Sequence, residues 1–173
     1  MIQKDTLQNV KDQQGLISKI QDFFGMGYAT KEDLRELDKK LRDSYFQNLK
    51  PLRHRWEEIY LAALNAGLKS AGGDFKKVLQ VMDRLTDKIN RADYGYAGLF
   101  DRKGAIRENA LAQTFDYDTA FSVDLSFLNG SIDDLYSSFE QENWPEVPAK
   151  VKKIRSLVLS LETKWDAREK QFR

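Results

Sequence analysis

Apolar residues recur along this chain at steps of three and four. Between positions 34 and 66 the series is Leu34, Leu37, Leu41, Tyr45, Leu49, Leu52, Trp56, Ile59, Ala63 and Ala66. A helix turns once in about 3.6 residues, so this spacing predicts a long amphipathic helix with one narrow stripe buried against other helices. Pro51 falls inside the series. A proline in a helix interior removes a donor and crowds the carbonyl four residues earlier, at a cost of roughly 3 kcal/mol. The phase of Leu49, Leu52 and Trp56 nevertheless continues across it, which predicts one kinked helix rather than two. The helix is expected to start at Thr30, an N-cap answered by Asp33, and to end near Ala71 before Gly72-Gly73.

Other segments keep the same rhythm. Leu7, Val10, Ile17, Ile20 and Phe24 predict a first helix over 3–24, interrupted at Gln13-Gln14-Gly15 and ended by the glycines of FFGMGYAT. Phe75, Val78, Met82, Leu85 and Ile89 predict a third helix, capped by Asp74, ending near Arg91 and antiparallel to the C-terminal half of the second. Phe121, Leu125, Leu128, Ile132, Leu135 and Phe139 keep phase across Asn129-Gly130, which predicts one helix there. Val147, Val151, Ile154, Val158, Leu161, Trp165 and Phe172 mark the last helix, expected from Asn143 with Pro145 and Pro148 in its first turn. The irregular connection 92–115 has the composition of a short helix over roughly 104–113. The expected fold is an all-α, up-and-down antiparallel helical bundle. It has four main helices, one of them long and kinked, plus an N-terminal helix and the short helix in the connection. Residues 1–173 form one domain, with 1–28 as an N-terminal helical extension.

Charge changes this picture little. The chain has 28 basic and 27 acidic residues among 173, a net charge of +1. Such a balance gives no global steering toward nucleic acid, and little repulsion between copies. There is no cysteine and only one histidine, His54. Disulfides, thiolate chemistry and any two-histidine metal site are therefore excluded. The first twenty residues lack the apolar run of a secretory signal. The most apolar stretch, YLAALNAGL at 60–68, is too short to span a bilayer. A cytoplasmic location is expected.

Candidate chemistry is sparse. Glu57, Glu58, Asp83 and Asp87 lie on two helices expected to be neighbours and form a candidate magnesium site, since magnesium takes oxygen ligands. All-helical nucleotide pyrophosphatases use carboxylates on adjacent helices in this way, although their paired acidic spacing is not reproduced. The same residues also suit ordinary ion pairs with Arg84, Lys88 or Arg91. Asp116, Asp118 and Asp124 form a second acidic group, in which Asp116 and Asp118 read as helix-start residues favoured by the dipole, weighed against a cation site without EF-hand spacing. The loop YGYAGLF places Tyr94, Tyr96, Leu99 and Phe100 on a glycine-flexed segment. FFGMGY does the same for Phe23, Phe24, Met26 and Tyr28. Both are candidate partner-binding stretches, weighed against the plainer role of capping the bundle. Basic residues cluster at Lys39, Lys40 and Arg42, at Lys50, Arg53 and Arg55, and at Lys150, Lys152, Lys153 and Arg155. The last group sits where the helix dipole disfavours positive charge.

No nucleophile triad, phosphate loop or nucleic-acid signature emerges. The leading expectation is a non-enzymatic interaction or scaffold protein with no cofactor, binding a protein partner or itself. A magnesium-dependent nucleotide or phosphate-ester hydrolase is the first alternative. Peripheral membrane association through 1–28 is the second. Nucleic acid is not favoured as a partner.

Overall fold

The marked stripes become buried seams. The computed structural model describes residues 2–26, 31–68, 71–92 and 108–171, and among them there is no strand. Five α-helices follow one another: α1 (Ile2–Met26), α2 (Lys31–Asn65), α3 (Gly72–Arg91), α4 (Glu108–Glu140) and α5 (Val147–Lys170). A 3-10 turn, Trp144–Glu146, precedes α5. α2 runs through Pro51 without interruption for 35 residues, about 52 Å at 1.5 Å per residue. α4 likewise passes through Asn129-Gly130.

Consecutive helices alternate in direction. α2 packs antiparallel on α3, where the Trp56 indole donates to the Phe75 carbonyl at 3.0 Å and Arg53 meets Asp83 at 2.8 Å. α4 packs antiparallel on α5, with Asp118 near Arg168 and Asp134 near Lys150. Two non-consecutive pairs, α3 with α5 and α2 with α4, run parallel. Asp74, Arg84 and Lys88 of α3 meet Arg155, Glu162 and Asp166 of α5 in ascending order. α2 and α4 follow suit, through Tyr45 with Asp118 and Arg55 with Asp133. α1 covers the seam between α2 and α4. Gln13 donates to Ser44 of α2 at 3.2 Å and accepts from Ser122 of α4 at 2.6 Å.

Every seam residue of α2 from Leu34 to Ala63 is buried. Leu34, Leu37 and Leu41 are covered by the same chain, so that end of the seam is not open. Ala66 falls in the turn after α2 and is exposed. The aromatic core joins Tyr45, Phe121 and Trp165, with centroids 4.7, 5.5 and 6.2 Å apart.

Several expected boundaries move. α2 ends at Asn65, not near Ala71. Gly67 takes φ +78 there, the Leu68 amide returns to the Ala63 carbonyl and the Gly67 amide to Leu64. These two bonds are the paired closure that a left-handed glycine permits. α3 starts at Gly72 without a side-chain cap, so Asp74 is a first-turn residue paired with Arg155 at 2.8 Å. The separate short helix expected over 104–113 is, from Glu108 onward, the start of α4; 104–107 lie outside the described residues. The Thr30 cap also lies outside them. α1 is unbroken at Gln13-Gln14-Gly15, because Gln13 is on the seam and buried rather than an interruption.

Candidate functional site

The densest chemistry lies inside the bundle. Asp38 of α2, Asp118 of α4 and Arg168 of α5 are each no more than 1% exposed. The Arg168 guanidinium donates to Asp38 at 2.6 Å and to Asp118 at 2.8 Å. It also reaches Glu169 at 3.1 Å and lies 4.7 Å over the Trp165 ring. The Tyr45 hydroxyl donates to the Asp118 carboxylate at 3.2 Å. Arg42 approaches Asp38 from the rim at 2.8 Å and donates to the Ile89 carbonyl. Three helices are thus joined around one cation.

The electrostatics follow from burial and pairing. Burial, then the charge of Asp118, pushes the Tyr45 hydroxyl well above its ordinary range, so it stays a donor. Burial also holds the Glu169 carboxyl above its usual range, against the pull of Arg168. An arginine holds its proton at all ordinary pH values. Buried charges of this kind are tolerated because each is paired and hydrogen-bonded.

The predicted magnesium carboxylates are divided among local cations. Glu57 and Asp83 do converge, but on Arg53, at 2.7 and 2.8 Å. The Asp83 hydrogen bond is the main reason the Arg53 guanidinium sits above its ordinary value. Glu58 lies 3.4 Å from His54, and Asp87 pairs with Arg91 at 3.0 Å. Among the described residues no group of three or more His, Asp or Glu is arranged to hold a metal ion.

Of the predicted aromatic sites, Tyr94, Tyr96, Leu99, Phe100 and Tyr28 lie outside the described residues, as do the side chains of Phe23 and Met26. Phe24 is half-buried and packs edge-on against Phe115 with centroids 6.2 Å apart. The basic group of α5 is partly absorbed. Lys150 binds Asp134 and Glu146, and Arg155 binds Asp74. Lys153 instead lies 5.1 Å over the Phe127 ring.

Sequence reasoning missed the central cluster. Asp118 is not a helix-start residue; it lies in the third turn of α4 and is fully buried. A signal existed, since Asp38, Asp118 and Arg168 all stand at seam phase, three or four residues from Leu34 and Leu41, from Phe121, and from Trp165. A charged residue on an apolar stripe is a buried-pair candidate.

Among the described residues, two pairs of large apolar side chains are exposed, besides Tyr136. Leu61 and Leu64 are 54% and 46% exposed in the last turns of α2, and Val123 and Phe127 are 51% and 54% exposed on α4. Val123 and Phe127 line an open groove of about 580 Å³, bounded by Val10 of α1 and Lys153 of α5. A smaller polar recess of about 10 Å³ lies between α1, α2 and α4, lined by Asn9, Gln13, Asn48 and Asn129 among others. No described helix is long and apolar enough to cross a membrane.

The fold and these sites define a closed five-helix bundle with an ionic centre and an apolar outer groove. No family model, curated protein or solved structure matches the chain.

Proposed function

We propose that the protein is a non-enzymatic helical interaction module that binds another polypeptide on its outer surface. The observation that carries this reading is the groove along α4, where Val123 and Phe127 stand half-exposed between α1 and α5. Isolated exposed leucines need no explanation, but two large apolar side chains one turn apart in a groove rimmed by polar groups suit a binding face. A trough along several turns of one helix suits the apolar face of a second helix. The interior charges support the reading, because a paired ionic centre holds the walls of such a groove in place.

The test compares the wild-type protein with a Val123→Asp, Phe127→Asp double variant of unchanged helicity. Cross-linking and affinity capture should yield a stable complex with the wild type and lose it with the variant. A wild-type chain that sediments as a monomer at every concentration and captures nothing would sink the proposal. So would magnesium-dependent phosphate release from nucleotides or phosphate esters that disappears in Asp83→Asn.

A further inference from the structure

The two exposed apolar groups differ in charge, and the difference is complementary. In α2, Glu58 stands one turn before Leu61 on the outer face, and its side chain is 63% exposed. Its ion-pair partner among the described residues is the neighbouring His54, itself 75% exposed. Two charged side chains line the α4 groove, Asp134 and Lys153. Asp134 is offset by Lys150 at 3.0 Å, so the charge left over there is that of Lys153. Lys153 lies over the Phe127 ring and has no carboxylate partner among the described residues. One surface is therefore apolar with an acidic flank, and the other is apolar with a basic flank.

Their lengths are similar as well. The groove follows α4 from Val123 to Asp134, and the α2 end runs from Glu57 to Ala66. The spans are about 17 Å and about 14 Å at 1.5 Å per residue. With a net charge of +1, copies of the chain meet little repulsion on approach.

We infer that the occupant of the α4 groove is a second copy of this chain. The end of α2 in one copy lies in the groove of the next, with Leu61 and Leu64 against Val123 and Phe127, and Glu58 against Lys153. This rests on the interaction reading above and names its partner. The two surfaces differ, so the contact is head-to-tail. Such contacts build a ring if the rotation closes and an open chain if it does not.

Charge reversal tests this directly. Sedimentation of the full chain is followed from low micromolar to near-millimolar concentration, at low salt. The wild-type mass should rise with concentration beyond that of a dimer. Lys153→Glu alone faces Glu58 with a like charge, and Glu58→Lys alone faces Lys153 with one. Each should self-associate at least about tenfold more weakly. An equimolar mixture of the two variants restores both pairings and should regain the wild-type association. Both positions are on the surface, and circular dichroism checks that each variant remains helical.

A wild-type monomer at all concentrations overturns the inference, as does a mixture no better than its components. If the wild type is monomeric yet captures a foreign protein through Phe127, self-docking falls and the interaction reading stands. If it is monomeric and captures nothing, both fall.

Discussion

Arg168→Met removes the cation at the centre of the bundle while leaving an apolar stem of similar length. Asp38 and Asp118 stay where they are, at 1% and 0% exposure. Asp38 keeps Arg42 at 2.8 Å, on the wetter rim. Asp118 keeps the Tyr45 hydroxyl but loses the guanidinium at 2.8 Å. The damage is therefore chiefly the loss of one buried ion pair, Arg168 with Asp118. Breaking a buried pair from one side costs about 3–5 kcal/mol. In a chain of this size each kcal/mol moves the melting temperature by about 2–4 °C, so a fall of about 6–20 °C is expected.

Urea unfolding at neutral pH, followed by far-ultraviolet circular dichroism, measures the loss. Tryptophan fluorescence adds a second reading, because one of the three tryptophans, Trp165, lies beneath the guanidinium. Adding Asp118→Asn to Arg168→Met should recover much of the stability, since the buried carboxylate that lost its guanidinium is then neutral. A loss under about 1 kcal/mol, the value of an exposed pair, would show that water reaches the cluster and would refute the reasoning. A second substitution that deepens the loss would refute it too.

Glu169 carries the opposite sign. Its folded carboxyl is held above the unfolded value, so ionisation costs stability at neutral pH, and that cost fades as pH falls toward the ordinary carboxylate range near about 4. Glu169→Gln should therefore melt higher at pH 7, with an advantage that vanishes in acid; a constant difference across pH would contradict this. Trp56→Phe removes the indole donor to the Phe75 carbonyl and leaves a void, and should cost about 2–4 kcal/mol in urea unfolding. Glu142 has φ 54 in the turn after α4, a strained position for a side chain. Glu142→Gly should stabilise the chain by up to about 1 kcal/mol, and a loss would mean that the Glu142 side chain makes a needed contact.

The helices were legible because their evidence is local. Leu49, Leu52 and Trp56 keep phase through Pro51, and Leu128 and Ile132 keep it through Asn129-Gly130, so stripe continuity outweighed two residues that commonly end helices. The cluster was not legible because pairing is not local. Asp38 and Arg168 are 130 residues apart on helices that meet across the bundle axis, and step lengths carry no record of which seams face one another. Gln13 misled for a related reason. Its side chain breaks the apolar pattern of α1, yet Ser44 and Ser122 supply both of its partners from other helices. The apolar end of α2 stood out as the YLAALNAGL run, but its exposure did not. The groove along α4 was not legible either, since it exists only once α1, α4 and α5 are side by side.

Register gives the buried polar groups their meaning. Apolar steps of three and four are satisfied equally well when a helix slides by seven residues. The charges are not. Moving α5 by one heptad would bring Leu161 to the level of Asp38 and Asp118 and part Arg168 from both carboxylates. Moving α1 by the same amount would set Ile20 between Ser44 and Ser122. Each wrong register leaves buried polar groups without partners, at about 1–3 kcal/mol apiece and more for a charge. The cluster thus discriminates between alignments that the seams alone leave nearly equal. An apolar triple variant, Asp38→Leu, Asp118→Leu and Arg168→Met, separates the two roles. It should be as stable as the wild type or more so, because well-packed apolar groups replace buried ion pairs without loss. It should also bind a hydrophobic dye and show broadened amide resonances as registers exchange. A sharp, wild-type-like spectrum from that variant would show that packing alone selects the alignment.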